Sequence, residues 1–353
     1  MSLLKKNKIN TSHFYRGLYP FIISEVGINH NGNLDLAFKL IDASKCAGAD
    51  CVKFQAYTAD QLVTEFAPKA PYQKKNKYDK EAQYELLSRC QLNECDFEEI
   101  YQYCKKINIK FMATPFSVKW AKFLLGLGVE AFKIGSGNLS MIDMLETIGS
   151  SGLPIILSTG LSQLNEIRNS VDILKRNGSN DITILHCVSL YPPKLEQINL
   201  FVMHSIEDEF HLPVGFSDHT KEIFTGSLAV AAGAKVLEKH FTLNKQMEGP
   251  DHKMSLEPDQ MKKYIKYSRT AAIICGNKNK NLSKEELAVK KIVQINIIAK
   301  TDILVGAKID KDMLEGKRAG RGIPFSEINK VVGKQTKCFI EKGKVLTYNC
   351  LSN

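Results

Sequence analysis

Short apolar, β-branched runs alternate with longer segments of helical periodicity between residues 21 and 275. In the longer segments the apolar residues recur every three or four positions, as at Leu164, Ile167 and Val171. This alternation predicts parallel βα units. Eight strands are predicted, at 21–29, 51–57, 110–116, 131–137, 154–160, 182–189, 214–220 and 235–241.

The number of these units indicates the fold class. Eight βα units over about 250 residues match a closed (β/α)8 TIM barrel better than an open doubly wound sheet. The chain then changes character, with a polar stretch that predicts a linker or an exposed helix, followed by short β-like pieces at 295–299 and 345–348. The predicted organisation is an extension at 1–20, the barrel at 21–275, a linker at 276–292 and a small domain of β and loop structure at 293–353.

Polar residues occupy the carboxyl end of every predicted strand. In a parallel barrel these ends form one rim, which is where active sites of this fold lie. Local turn caps explain one or two such residues but not eight out of eight. The rim residues are Glu25, Asn29, Lys53, Gln55, Thr114, Lys133, Ser136, Ser158, Thr159, Ser189, Tyr191, Ser217, His219, Glu238 and His240.

The last two strands each end in a histidine that follows a polar residue by two positions. Because strand side chains alternate between faces, Ser217 and His219 should point the same way, and Glu238 and His240 likewise. Two imidazoles with open positions suit a divalent cation such as Mn, Zn or Fe, and a nearby carboxylate would orient a histidine or a bound water. The alternative is that each histidine is a hydrogen-bonded structural residue.

Two rim lysines, Lys53 and Lys133, lie among several hydroxyl groups. Such a set predicts a cradle for phosphate or carboxylate. The alternative is that each lysine forms an ion pair with a carboxylate on a neighbouring strand. Glu25 faces the same mouth, either to bind substrate hydroxyls and move protons or to form an ion pair with a strand lysine.

Composition narrows the class of protein. The 353 residues are 44% hydrophobic and 24% charged, as in ordinary globular proteins. No apolar run of about 18 residues and no secretory signal are found, so we expect a cytoplasmic protein that does not associate with membranes. The net charge of +10 is spread over separate lysine clusters, which favours an anionic small substrate over nucleic acid. Nine cysteines without CxxC spacing indicate reduced thiols.

An ordered series of motifs resembles the sialic acid synthase family over nearly the whole chain. The turn at 317–323 is similar to the antifreeze-like (SAF, β-clip) domain of that family. The motifs lie at 23–32, 52–55, 113–116, 132–137, 157–160, 186–187, 215–219, 238–241 and 249–258.

The resemblance implies an enzyme that condenses phosphoenolpyruvate with N-acetylmannosamine and water, giving N-acetylneuraminate and phosphate. C3 of the enol attacks the sugar aldehyde, water adds at C2, and phosphate leaves. His219 and His240 would hold a divalent cation, Mn²⁺ first, with Mg²⁺ or Co²⁺ as alternatives, that polarises the aldehyde. These two histidines with Glu25 and Glu238 form the expected catalytic group.

The resemblance also implies which residues hold the substrates. A domain-swapped homodimer is implied, in which Arg318 of one subunit reaches the N-acyl group of the sugar in the other. Asn138 and Ser189 are expected to contact substrate, although the family usually has an acid and an asparagine there. Phosphoenolpyruvate would contact Lys53, Thr114, Lys133, Ser136, Ser158 and Ser217, and the sugar Glu25, Gln55, Tyr191 and Asp251.

Other functions remain open at this point. The segments 70–73 and 250–258 resemble N,N'-diacetyllegionaminate synthases as well, which use 2,4-diacetamido-2,4,6-trideoxymannose. A metal-dependent barrel hydrolase or aldolase would not need the lysine cradle, and a non-catalytic carbohydrate-binding protein would not need both histidines.

Overall fold

The computed structural model describes residues 17–65, 67–68 and 82–352. Most of the predicted extension at 1–20 and the segment 70–73 lie outside these residues. The chain forms two compact units, Met1–Gly276 and Asn277–Asn353, which are described separately. No helix in the described ranges is long and apolar enough to cross a lipid bilayer.

The first unit contains all eight predicted strands, and each ends one to three residues before its predicted end. All ladder pairs are parallel, and the order along the sheet is β3-β2-β1-β8-β7-β6-β5-β4. Because β3 and β4 also contact each other, the sheet is a nearly closed barrel, as predicted. The strands are β1 Phe21–Gly27, β2 Cys51–Ala56, β3 Lys110–Pro115, β4 Phe132–Ile134, β5 Ile155–Ser158, β6 Ile182–Cys187, β7 Val214–Asp218 and β8 Val236–His240.

A helix follows each strand, and the helices begin and end at the residues expected from capping chemistry. The side chains of Asn33, Asn93 and Ser117 accept hydrogen bonds from the first turns of α1, α4 and α5, and Gly48 ends α1 with φ of 94°. The helices are α1 Leu34–Ala47, α2 Ala59–Leu62, α3 Gln83–Cys90, α4 Glu94–Ile107, α5 Val118–Leu127, α6 Ile142–Gly149, α7 Leu164–Arg176, α8 Val202–Phe210, α9 Thr225–Ala231 and α10 Pro258–Cys275.

The barrel interior is built in two layers. A buried apolar layer fills the amino-terminal half: Phe21, Ile23, Cys51, Met112, Ala131, Ile156, Leu185 and Val236. Two residues further along most of these strands, the same face of the sheet carries a polar side chain, for example Glu25 after Ile23 and Lys53 after Cys51. The apolar layer therefore forms the floor beneath a polar layer at the carboxyl end.

The second unit has its own core. Strands β9 Ile295–Ala299 and β10 Leu314–Arg318 pair antiparallel, and a separate apolar cluster around Ile297 and Leu346 is buried beside them. Helix α11 Lys284–Val293 is exposed along its whole length, as one of the two predictions for 276–292 had it. The strand predicted at 345–348 is only an isolated bridge from Val345 to Ile298, followed by a 3-10 turn.

Candidate active site

The polar layer brings together the side chains predicted at the ends of seven strands. Glu25, Lys53, Thr114, Lys133, Ser158, Ser217 and Glu238 are all at most 4% exposed, and all line one cavity of about 1030 Å³. His219 and His240 line the same cavity. The strand alternation thus directs the four residues Ser217, His219, Glu238 and His240 into one site, as predicted.

Two lysines and two glutamates form a buried charge cluster at the base of the cavity. Lys53 Nζ lies 2.6 Å from Glu25 Oε2 and 3.7 Å from Glu238 Oε2, and Lys133 Nζ is also 3.7 Å from Glu238 Oε2. Each lysine also donates to a hydroxyl group, Lys53 to Thr114 Oγ1 at 3.1 Å and Lys133 to Ser158 Oγ at 2.7 Å. Lys53 therefore forms the ion pair with a neighbouring strand that was the alternative prediction, whereas Glu238, the partner of Lys133, lies on β8, which is not adjacent to β4. Both lysines line the cavity.

The charge cluster has strongly shifted pKa values. Burial would raise the pKa of Glu238, but Lys133 and Lys53 outweigh it and hold that pKa at about 2. Burial raises the pKa of Glu25, and only part of this is offset by Lys53. For Lys53, the carboxylates of Glu238 and Glu25 outweigh burial and raise the pKa, whereas burial lowers the pKa of Lys133. Of the two lysines, Lys53 is the one whose buried charge is more fully offset by neighbouring carboxylates.

The two histidines lie side by side, with ring centroids 5.5 Å apart. His219 Nδ1 donates to the carbonyl of Val188 at 2.8 Å, which leaves the lone pair on Nε2, 3.4 Å from Ser217 Oγ. Among the described residues, His240 Nδ1 is buried without a hydrogen-bond partner, 3.9 Å from Asp251 Oδ2. Burial lowers the pKa of both imidazoles, which favours their neutral form.

These observations fit a divalent cation held by two imidazoles. A neutral ring fixed through the opposite nitrogen, as in His219, is the usual state of a metal-binding histidine, and a buried nitrogen without a partner, as in His240, is a position that an ion or water would satisfy. No group of three His, Cys, Asp or Glu side chains in the described part of the chain is arranged to hold a metal. A cation here would take its remaining ligands from water and substrate.

A set of small polar groups lies on the side of β4 and β5. The N–H of Gly160 donates to Ser136 Oγ at 2.9 Å and to Cys187 Sγ at 3.0 Å. Any Cβ at Gly160 would overlap Ser189 Oγ, so glycine is required for these groups to come together. Sequence reasoning missed this backbone donor, because a glycine carries no side-chain signal.

The residues that were expected to bind the sugar come from β1, β2 and the loops after β6 and β8. Gln55 Nε2 donates to Glu25 Oε1 at 3.2 Å, and burial, with the charge of Glu25, raises the pKa of Asp251 to about 7. A Cβ at Gly27 would lie 3.1 Å from Glu25 Oε1. The ring of Tyr191 lies 4.3 Å from that of His219, between centroids.

Loop residues complete the cavity, and most were not predicted. An apolar wall is formed by Ile28, Leu62, Val63, Leu87 and Phe116, which belong to one small cluster above β1, β2 and β3. Three further lysines, Lys194, Lys221 and Lys253, also line the cavity. They make it attractive to anions.

Two predicted substrate-binding residues remain, Asn138 in the first unit and Arg318 in the second. Asn138 is not among the described residues that line the cavity, and its Nδ2 donates to the carbonyl of Pro115 at 3.0 Å. It lies in a 3-10 turn at Ser136–Asn138, so strand alternation does not govern its direction. Its side chain joins the turn after β4 to the end of β3. The replacement of the family's acid by Asn138 therefore does not change the lining of this cavity. Arg318 is exposed at the end of β10 in the second unit.

Comparison with known proteins gives the class of the enzyme. Residues 40–280 match the model of the NeuB family, and residues 297–352 match the SAF domain. The chain is 40% identical to N,N'-diacetyllegionaminic acid synthase of Legionella pneumophila, over 93% of both chains. It is 32% identical to human N-acetylneuraminate-9-phosphate synthase, over 96% of this chain and 94% of the relative.

A solved structure shares both fold and sequence. The N-acetylneuraminic acid synthetase of Leptospira borgpetersenii superimposes with a TM-score of 0.68 and 33% identity, over 76% of this chain and 89% of the other. The chain belongs to the NeuB family, with a TIM barrel and a SAF domain. It is an enzyme of nonulosonic acid synthesis, the class to which the sialic and legionaminic acid synthases belong.

Proposed function

We propose that this enzyme condenses phosphoenolpyruvate with 2,4-diacetamido-2,4,6-trideoxymannose and water, giving N,N'-diacetyllegionaminate and phosphate. Sequence analysis put N-acetylmannosamine first as the acceptor. The observation that reverses this order is the apolar wall of the cavity. The higher identity to the legionaminic acid synthase than to the human sialic acid enzyme supports the same choice.

Phosphoenolpyruvate is assigned to the lysine side of the cavity. Lys53 and Lys133 present two buried cations, and Ser158, Ser217 and Thr114 add hydroxyl donors beside them. These lysines also face Glu25 and Glu238. The incoming phosphate and carboxylate groups would compete with the glutamates for the lysines, and Gly160 N–H and Ser136 would extend the set of donors.

The histidine side of the cavity is assigned to the sugar aldehyde. His219 and His240 would hold the cation, Mn²⁺ in our proposal, and the bound cation would act as a Lewis acid on the carbonyl oxygen. Glu25 and Asp251, whose pKa values are raised, would transfer the proton to the new hydroxyl group. Tyr191, packed on His219, would cover the reacting carbons from solvent.

The apolar wall bears on the choice of sugar. A trideoxy sugar carries a methyl group at C6 and a second acetyl methyl at N4, where N-acetylmannosamine carries hydroxyl groups. Burying methyl groups against Ile28, Val63 and Leu87 stabilises the complex by about 0.8 kcal/mol for each CH₂-sized group. A hydrophobic pocket discriminates against an added hydroxyl group by roughly a hundredfold at most.

We expect kcat/KM for 2,4-diacetamido-2,4,6-trideoxymannose to exceed that for N-acetylmannosamine by about 10- to 100-fold, because only the former has methyl groups at C6 and on the N4 acetyl group to pack against the apolar wall. Phosphate release from phosphoenolpyruvate with each sugar measures the ratio. Val63→Thr, which keeps the side-chain shape but adds a hydroxyl group, should narrow it. Equal use of the two sugars, or a preference for N-acetylmannosamine, contradicts the proposed acceptor.

We further propose that Arg318 binds the N-acyl group of the sugar from a second subunit. Arg318→Ala is then expected to raise KM for the sugar about tenfold or more, with little change in KM for phosphoenolpyruvate, because a charged hydrogen bond is lost. Arg321→Ala, an exposed arginine of the same turn, is the matched control.

Subunit mixing tests whether Arg318 acts in the second subunit. Coexpressed Arg318→Ala and His240→Ala chains should form hybrid dimers that regain part of the activity, since one site in each hybrid has both residues. No gain over either parent variant argues against the shared site.

A further inference from the structure

A second polar cluster lies directly behind the two histidines, outside the cavity. Asp218 and Lys239 each precede one of the histidines, so strand alternation turns their side chains to the opposite face of the sheet, toward the helices. Both side chains are 0% exposed, and Lys239 Nζ lies 3.0 Å from Asp218 Oδ1. Neither residue lines the cavity, and none of the chemistry above uses them.

The pair holds the backbone of the residue that follows His219. The N–H of Thr220 donates to Asp218 Oδ1 at 2.9 Å, and Lys239 Nζ donates to the carbonyl of Thr220 at 2.6 Å. Asp218 Oδ2 also accepts from Thr225 Oγ1 at 2.5 Å, which ties the cluster to α9. Both peptide groups of Thr220 are thus fixed by residues adjacent to His219 and His240.

The position of this pair in the sheet explains why such a tie is needed. Asp218 and Lys239 form the last registered rung between β7 and β8. His219 lies beyond the end of β7, so the ladder no longer sets its distance from His240, which still pairs with Glu25 of β1. The side-chain contacts of Asp218 and Lys239 take over where the backbone ladder stops.

The surroundings keep the pair rigid. The ring of Tyr264 on α10 lies with its centroid 5.3 Å from Lys239 Nζ. Gly226 on α9 has no room for a Cβ, which would overlap the Tyr264 ring, so α9 and α10 pack closely over the cluster.

Energetics argue against stability as the role of the pair. A buried ion pair loses so much hydration that its replacement by uncharged side chains is often neutral or stabilising, whereas removing one partner alone is costly. The pair instead orients the backbone after His219, because it fixes the two peptide groups of Thr220 where no strand pairing does so.

We propose that Asp218 and Lys239 are positioning residues that set the spacing of the His219 and His240 imidazoles for the divalent cation. This inference rests on the proposed metal role of the two histidines. The protein offers a matched control in Asp50 and Arg269, an ion pair of 2.9 Å that joins α10 to the chain just before β2, at the opposite end of the barrel.

The decisive variant is Asp218→Asn combined with Lys239→Met, which removes both charges at once and leaves no unpaired ion. Free Mn²⁺ is measured by electron paramagnetic resonance during titration of the substrate-free protein, and Tm is measured on the same samples. We expect Kd for Mn²⁺ to rise about tenfold or more, as for other residues that support metal ligands, with Tm nearly unchanged. Asp50→Asn with Arg269→Met, at a pair whose side chains are 33% and 34% exposed, should change neither Kd nor Tm by much.

The outcomes separate the positioning role from the metal site itself. An unchanged Kd in the Asp218→Asn/Lys239→Met protein, with Mn²⁺ bound normally by the parent, overturns the positioning role alone. Absence of Mn²⁺ binding in the parent overturns the metal role of the histidines and the positioning role with it. An equal rise of Kd in the Asp50→Asn/Arg269→Met control means that the loss is a general structural effect, which also overturns the proposal.

Discussion

Alanine in place of His219 or His240 is expected to lower the rate of phosphate release at least about a thousandfold at saturating substrates. Each imidazole is one of only two protein ligands proposed for the cation, so losing either leaves too few donors to hold it. The loss of Lewis-acid activation of the aldehyde amounts to several kcal/mol, and each 1.36 kcal/mol is about a factor of ten in rate. The parent enzyme treated with a chelator should show the same loss, and added Mn²⁺ should restore it.

The control for this measurement is the substitution of a histidine that does not line the cavity. His186 lies on β6, where its Nε2 is 2.7 Å from the carbonyl of Ile198 and its ring stacks on Phe216. His186→Asn is expected to lower the stability but to keep the dependence on Mn²⁺. Full activity of His219→Ala or His240→Ala in the presence of a chelator is incompatible with the metal assignment.

The histidine pair could be predicted because its geometry depends on strand periodicity alone. Glu238 and His240 are two residues apart on β8, and a period of two places them on one face whatever the rest of the fold does. The polar layer was predictable for the same reason, since each of its members follows an interior apolar residue by two positions. The count of eight strands then predicted a closed barrel, in which these faces point into one interior.

Features that depend on contacts between strands or on loops could not be predicted from one sequence. The reach of Glu238 to both Lys53 and Lys133 depends on side-chain conformations across a curved sheet, which periodicity does not describe. The apolar wall and Lys194 come from loops and from the short helices α2 and α3, which the alternation of strands and long helices does not predict. Asn138 was assigned to the substrate by resemblance alone; β4 ends at Ile134, and in the 3-10 turn that follows, the Asn138 side chain donates to the carbonyl of Pro115.

The second large effect concerns the lysines at the base of the cavity. Lys53→Met and Lys133→Met are each expected to lower kcat/KM for phosphoenolpyruvate at least about a hundredfold, because each removes a charged donor from the substrate phosphate or carboxylate. Their effects on stability should differ. Glu238 and Glu25 raise the pKa of Lys53, so the folded protein favours its charged form, whereas burial lowers the pKa of Lys133.

Removing Lys53 therefore leaves Glu25 without its cation and Glu238 with Lys133 alone, and the free energy of unfolding should fall by about 3–5 kcal/mol, with a smaller fall for Lys133→Met. Urea unfolding measures stability, and calorimetric titration with phosphoenolpyruvate measures binding without turnover. Lys110→Met, which removes a half-exposed ion pair with Glu130 at the start of β3, is the control, expected to change neither by much. If Lys133→Met combined with Glu238→Gln restored both stability and phosphoenolpyruvate affinity, ion pairing within the barrel would be the whole role of Lys133.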